Sequence, residues 1–341
     1  MNRRILIVTN RDDLHADIVA QKIVAKGGAF FRLNVSEFPR DYRLTYSARH
    51  GVCCGEIVHE PTGEILPLSS VGAGWFRRLG EFAFASSDLG AQERAFAKME
   101  AEQTLFGLLC SLDCYWMNHP IATRHAQWKG EQLCRAARMG FTVPPSIVSN
   151  CRDQVEAFRD TVHSDMIYKT LSSPFLGADR VSAEERVTGG VGTTRISEAD
   201  NELLDAVSEL PCFFQKHIPK LYDLRVTVIG EDVFAARINS QDDPRTAVDC
   251  RSYTADIKYE AESLPPEIER RCIAFLRSYE LNYGAIDLIV TPGGEFVFLE
   301  NNPAGQFLFV EQLVPELNMT DVLAAHLIER ADHKVAQCAL A

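Results

Sequence analysis

The chain reads as an α/β domain with a parallel sheet followed by α+β units, and three observations predict this. A strand–helix–strand succession opens the sequence, helical periodicity dominates its middle, and the last third carries two hairpins whose strands alternate apolar and charged residues. Residues 4–9 (RILIVT) suit a buried strand, Asp12 or Asp13 can cap a helix running to about Lys26, and residues 29–34 form the next strand. Short strands follow at 42–48 and 71–77. Helices are predicted over 91–110 and 120–139, separated by Trp116-Met117-Asn118-His119-Pro120, which reads as a domain boundary. Next come a strand at 145–149, a helix at 152–163 and a strand at 166–171. Residues 172–194 lack periodicity and are rich in Ser, Pro and Gly, the pattern of loops around a hairpin. Three units result: 1–118, 119–205 and 206–341.

Composition bounds the function. The 341 residues exceed one hydrophobic core, and 46% hydrophobic with 24% charged residues is ordinary for a globular protein. A net charge of −12 argues against nucleic acid as the main partner, since phosphate backbones need clustered cations. The ten cysteines include no CxxC pair, so they read as reduced thiols of a cytoplasmic protein, neither a zinc site nor a disulfide framework. The apolar run at 5–8 is too short for a signal peptide, and no segment approaches a membrane span.

The chemistry concentrates in the two hairpins. In 222–230 and 233–241, Leu224, Val226 and Val228 share one face, as do Phe234, Ala236 and Ile238. These faces coincide if Gly230-Glu231-Asp232 is a three-residue loop, which sets Arg225 opposite Arg237. Two facing guanidinium groups repel unless an anion lies between them, and their forks suit phosphate or carboxylate; an exposed pair of arginines is the plainer alternative. In 284–291 and 295–302, a Gly293-Gly294 turn pairs Val290 with Val297, Leu288 with Leu299 and Asp287 with Glu300, and Asn302 projects from the same face as Glu300. Paired acids either share a proton or bind a cation, and three hard oxygen donors favour magnesium over zinc. Because facing carboxylates repel, Glu300→Gln is expected to leave the empty fold as stable as before or more so. Lys129 on a helix and Lys169 at a strand end are candidate anion contacts, as is Lys216 in the segment 213–218. There is no GxxxxGK[ST] and no GxGxxG, so phosphates must be held by side chains and metal, and a dinucleotide-dependent oxidoreductase is excluded.

Taken in order, Lys129, Lys169, the segment Gln215-Lys216-His217-Ile218, Asp223-x-Arg225, Asp287 and Glu300-x-Asn302 resemble the ATP-grasp superfamily. The resemblance implies an ATP-grasp fold preceded by a Rossmann-like domain. The opening Ile5-Leu6-Ile7-Val8-Thr9-Asn10 is similar to the graspetide synthetases, the microviridin-type macrocyclases. So are Trp75-Phe76-Arg77-Arg78, Trp116-Met117-Asn118-His119-Pro120, Asp223-Leu224-Arg225 and Leu299-Glu300-Asn301-Asn302-Pro303. The implied activity joins Asp or Glu side chains of a ribosomal precursor peptide, leader plus core, to Ser, Thr or Lys side chains of that peptide through an acyl phosphate. ATP and Mg2+ are the implied cofactors and a homodimer the implied assembly. Lys129 and Lys169 would contact the α- and β-phosphates, Arg225 the γ-phosphate, residues 215–218 the adenine, and Asp287, Glu300 and Asn302 the magnesium. Arg237 would stabilise the oxyanion formed when a hydroxyl or amine attacks. Arg77 and Arg78 would hold the substrate carboxylate or form a solvated basic pair. Residues 172–177 contain one glycine where the superfamily is glycine-rich, so the loop that covers ATP stays open; Gly189, Gly190 and Gly192 would belong to a hairpin that touches the leader. Rival readings are a ligase that adds a free amino acid to a peptide or protein tail, and a non-catalytic ATP-dependent peptide binder.

Overall fold

The computed structural model describes residues 3–49, 52–78, 80–163, 165–172, 191–251 and 255–338. In the N-terminal unit β1 (Arg4–Thr9), α1 (Leu14–Ala25) and β2 (Phe30–Asn34) form the expected opening, and the Asp13 side chain caps α1 by accepting from the His15 amide. A meander of β3 (Tyr42–Arg49), β4 (Val52–His59) and β5 (Glu64–Pro67) makes its own antiparallel sheet. The chain then returns through β6 (Val71–Phe76), α2 (Ala91–Ser111) and the short β7 (Tyr115–Trp116). Strands β1, β2, β6 and β7 form a parallel sheet in the order β2-β1-β6-β7. Their near-continuous apolar sequence fits burial on both faces.

Beyond the junction, the predicted helix 120–139 is two helices, α3 (Pro120–His125) and α4 (Lys129–Arg138). Gln132 explains the break. Its buried amide donates to Ala126 O (2.7 Å) and Asn301 O (2.9 Å) and accepts from Asn301 N (2.7 Å), satisfying the end of α3 and an edge strand together. The central unit follows with β8 (Ser146–Ser149), α5 (Arg152–Thr161), β9 (Met166–Lys169), β10 (Thr194–Ile196), a 3-10 stretch Glu198–Glu209 and β11 (Cys212–Lys216). Its sheet runs β10-β9-β11-β8, so a strand beyond residue 205 completes it. The C-terminal unit comprises β12 (Tyr222–Ile229), β13 (Asp232–Ile238), β14 (Tyr259–Glu262), α6 (Pro266–Arg277), β15 (Tyr283–Val290), β16 (Phe296–Asn302), α7 (Leu308–Leu313) and α8 (Met319–Cys338). Its antiparallel sheet is ordered β14-β13-β12-β15-β16.

Core packing joins these units unequally. Helices α3, α4 and α6 bury one face of the C-terminal sheet through Leu133, Ala136, Phe275, Leu224, Leu288 and Phe298. Part of the opposite face shares a core with the N-terminal unit, where Ile229, Ala236 and Tyr283 meet Ile5, Trp75 and the helix α8. The central unit keeps a small core of its own around Val155, Met166, Leu204 and Phe214.

Both hairpins depart from expectation in ways that decide the site. The β12–β13 loop has two residues, Gly230 at φ +65° and Glu231, so Ile229 pairs with Asp232, Leu224 with Arg237 and Arg225 with Ala236. Arg225 and Arg237 therefore lie on opposite faces of the sheet. The expected register assumed one buried face, whereas β13 is buried on both: Ala235 packs with α6 and Ala236 with the N-terminal unit. In the second hairpin Val290 pairs with Phe296 and Leu288 with Phe298, one residue off the expected register. A bulge beyond Leu288 shifts the ladder back, and Asp287 pairs with Glu300 as predicted.

Candidate active site

A cleft of about 700 Å³ opens between the three units, lined among others by Arg78, Lys129, Lys169, Arg225, Asp287 and Glu300. Adjacent strands place its central groups: Arg225 pairs with Asp287 across β12–β15, and Asp287 with Glu300 across β15–β16. All three thus point to one face, with Asn302 two residues beyond Glu300. Arg225 donates to Asp287 at 2.8 Å, and the Asn302 amide donates to the other Asp287 oxygen at 3.4 Å. Lys129, at the first position of α4, lies 3.2 Å from Glu300 and donates to Thr170 O at 2.9 Å. Lys169 donates to Gln215 at 3.0 Å.

The two facing acids are divided electrically by their neighbours. Burial raises Asp287 above the usual carboxylate range, and Glu300 opposite adds to this against the pull of Arg225. Burial also opposes ionisation of Glu300, but Lys129, Lys169 and Arg251 outweigh it and hold its carboxyl below the ordinary value. Burial lowers Lys169, against the opposing charge of Glu300. Glu300 is therefore an ion-pair partner, and the sequence-based expectation that Glu300→Gln spares or raises stability is reversed: the substitution strands cations.

The donor set fits magnesium. Asp287, Glu300 and Asn302 present only oxygen ligands from the protein, and hard cations of this kind take few carboxylates, completing their shell with phosphate oxygens and water. Among the described residues no three His, Cys, Asp or Glu side chains form a group that could hold a metal ion by themselves. The buried Arg225 Nε has no partner, an orphaned donor inside the cationic cluster.

Other expected residues fall elsewhere. Arg77 is buried and bonded through Nε to Asp13 at 2.6 Å, so it is neither a solvated cation nor a free carboxylate clamp; Arg78 alone reaches the cleft. Arg237 stacks on Tyr222 at 4.1 Å and bonds Asn239, on the sheet face away from Arg225. Asp223 is buried between Lys220 (2.7 Å) and the Ser240 hydroxyl, which fixes the strand end beside the cleft. Gln215 is buried and bonds Ser146, while Lys216, His217 and Ile218 are not among the cleft-lining side chains. Gly192 is exposed, between Val191 and Thr193 of the cleft rim; Gly189 and Gly190 lie outside the described residues, as does most of the segment 172–177.

Sequence reasoning missed three contributors. Asp249 and Arg251 form an ion pair of 2.7 Å on the cleft wall, and Asp249 accepts from the Thr193 amide (3.4 Å) of the central unit. The third is Asn118, whose buried side chain donates to Tyr283 O and Pro303 O and accepts from the amides of Asn282 and Tyr283. The Asp-x-Arg spacing of 249–251 was the only visible signal for the first two.

Comparison with known proteins completes the description. The family described as the MvdD pre-ATP grasp domain matches residues 4–124. A RiPP-associated ATP-grasp ligase from Chryseobacterium gregarium, solved with ADP and a leader and core peptide, is 30% identical at a TM-score of 0.87, over 96% of this chain and 97% of that one. Macrocyclase MdnC from Microcystis aeruginosa MRC, bound with precursor peptide MdnA, is 28% identical (TM-score 0.83, 96% and 99% covered). Macrocyclase MdnB from the same organism is 27% identical (TM-score 0.76, 95% and 99% covered). No curated protein matches the chain.

Proposed function

Since the chain belongs to the graspetide synthetases, the ATP-grasp ligases of peptide maturation, we propose that it activates side-chain carboxyls of a ribosomal precursor peptide and closes them onto hydroxyls or amines of the same peptide. It is an ADP-forming ligase. In the first step a substrate carboxylate oxygen attacks the γ-phosphorus of ATP, giving an acyl phosphate and ADP. In the second a Ser, Thr or Lys side chain attacks the acyl carbon, phosphate leaves, and an ω-ester or ω-amide remains. Because both ends belong to one peptide, the second step is effectively unimolecular.

Phosphoryl transfer asks mainly for alignment and charge neutralisation. Lys129 would meet that need from α4 on the C-terminal sheet, Lys169 from the edge of the central unit, Arg225 from the sheet itself, and Arg78 from the N-terminal unit. Asp287, Glu300 and Asn302 would hold magnesium, which would supply neutralisation of the phosphate charge when bound. Arg225 would leave Asp287 in part to meet the γ-phosphate. Arg237 receives no step, because it lies on the sheet face opposite Arg225. Residues 215–218 would offer backbone groups to adenine. The reading also includes a cytoplasmic location and a homodimer, on the family resemblance; no described helix is long and apolar enough to cross a membrane.

The observation that carries this reading is the facing pair Asp287 and Glu300, ringed by Arg225, Lys129 and Lys169 in the three-walled cleft. The test is incubation with ATP, magnesium and candidate precursor peptides that carry a leader and a core with Asp or Glu and Ser, Thr or Lys. The expected product is lighter by one water per ring, with ADP formed in step. A product heavier by an amino-acid residue, or turnover that needs a free amino acid, overturns the macrocyclase reading in favour of a tailing ligase.

A further inference from the structure

The strip 303–308, which leaves β16 and lines one wall of the cleft, is pinned through several backbone polar groups by side chains from elsewhere in the chain. Pro303 O accepts from Asn118 Nδ2 (2.9 Å), Gly305 O from the Tyr283 hydroxyl (2.7 Å), and Gln306 O from Arg225 Nη2 (2.9 Å). Gly305 packs so closely that a Cβ there would meet Ala285 Cβ at 2.5 Å and Arg225 Nη2 at 3.0 Å. The amides of Phe307 and Leu308 both donate to His15 Nε2 at 3.2 Å. That histidine comes from the first turn of α1, 292 residues earlier in the chain than Phe307.

His15 is itself held from behind. Its Nδ1 faces Asp13 at 3.6 Å, its ring meets Phe307 edge-on at 4.9 Å, and Asp13 is fixed by Arg77 (2.6 Å) and the Thr9 hydroxyl (2.5 Å). An Nε2 that accepts two N–H groups carries no proton, so the ring is neutral with its proton on Nδ1, toward the carboxylate. We infer that His15 is a positioning residue for the ligase reaction: its neutral ring fixes the amides of Phe307 and Leu308, and through Gln306 O sets where Arg225 stands against Asp287. This rests on the function proposed above. The same device responds to acid. A proton on Nε2 would replace the acceptor by a third donor facing two amides. The charged groups around the ring are Asp13, which favours that proton, and Arg77 and Arg78, which oppose it together with burial. Burial dominates and lowers the His15 pKa from its ordinary value, so the pin holds at neutral pH.

The test joins a ring signature to kinetics. Ring-15N NMR of the full chain, with His15 assigned by loss of its signal in His15→Gln, should show the Nδ1–H tautomer titrating below 6.5. His15→Gln, whose Oε1 can stand where Nε2 stood, should keep kcat within about threefold of wild type and lose the His15 part of the acid limb. His15→Leu should lower kcat about 10- to 100-fold, the usual scale for loss of an orienting partner, with KM for ATP little changed and the melting temperature reduced. An Nε2–H tautomer overturns the inference, as does a folded His15→Leu enzyme with kcat within twofold of wild type. If the Leu variant does not fold, His15→Asn decides: its short amide reaches Asp13 but not the strip, so a wild-type kcat there also overturns it. Absence of ATP turnover in the wild type would instead sink the proposed function, and the ring tautomer would still be readable.

Discussion

Replacing Glu300 by Gln removes a charge while keeping the shape of the side chain, and the structure fixes what that should cost. Glu300 lies 3.2 Å from Lys129, with the two side chains 19% and 20% exposed, and it also faces Lys169 and Arg251. At an effective dielectric of about 20 the Lys129 contact alone is about 5 kcal/mol of Coulomb attraction. Desolvation of both partners cancels much of it, and partial exposure keeps the loss below the roughly 3–5 kcal/mol seen when a fully buried pair is broken. A net loss of about 1–3 kcal/mol follows, measurable as a lower urea midpoint at unchanged slope. The pH dependence gives the sign. A carboxyl held below its ordinary value of 4.5 stabilises the fold fully above that pH, and the contribution fades as pH falls through the lower native value. Wild type and Glu300→Gln should therefore differ by a constant amount above about pH 4.5 and converge in more acidic solution. ATP turnover should fall at least about 100-fold, because the donor proposed here for magnesium is lost as well. A variant as stable as wild type at pH 7, or one that turns over ATP at a near-normal rate, would refute the ion-pair reasoning or the metal assignment respectively.

Arg237→Ala should change kcat by no more than about twofold and cost about 1 kcal/mol, the scale of its stacking on Tyr222; an acyl phosphate trapped with hydroxylamine in this variant would return the residue to the reaction. Gln132→Leu should lower stability by about 2–4 kcal/mol in urea denaturation, since Ala126 O and the backbone N–H and C=O of Asn301 lose their partner. It should also raise the magnesium needed for half-maximal turnover, because Asn301 sits between Glu300 and Asn302; unchanged magnesium dependence would separate the clamp from the metal donors.

Much of the fold was legible because local rules govern it. The apolar run 4–9, the cap at Asp13 and the alternation of the last hairpins each state one element within a few residues of sequence. The Asp287–Glu300 pair was found although the turn was misjudged, because the bulge beyond Leu288 compensates the longer loop. What failed depended on partners distant in sequence. A strand buried on both faces has no polar side to set its register, which is why Arg225 and Arg237 were wrongly placed together. The break after α3 is invisible in the helix pattern because Gln132 serves a strand 169 residues away. Arg77 looked like half of a basic pair until Asp13, 64 residues earlier, claimed it.

The separate core of the central unit has a mechanical consequence. Helices α3 and α4 belong with the C-terminal sheet, so the chain crosses into the central unit near Pro145 and leaves it just after Lys216. These two crossings are stitched together by the bond from Lys216 N to Pro145 O at 2.8 Å. A body tethered by two adjacent strands has one easy motion, a swing about the line they share. Lys169 rides on the swinging side and Lys129 on the fixed side. The gap between these two ammonium groups would then be set by the angle of the swing, and an anion that drew both in would act as the latch. Distance measured between spin labels on α5 and α6, with and without nucleotide, reads that angle directly.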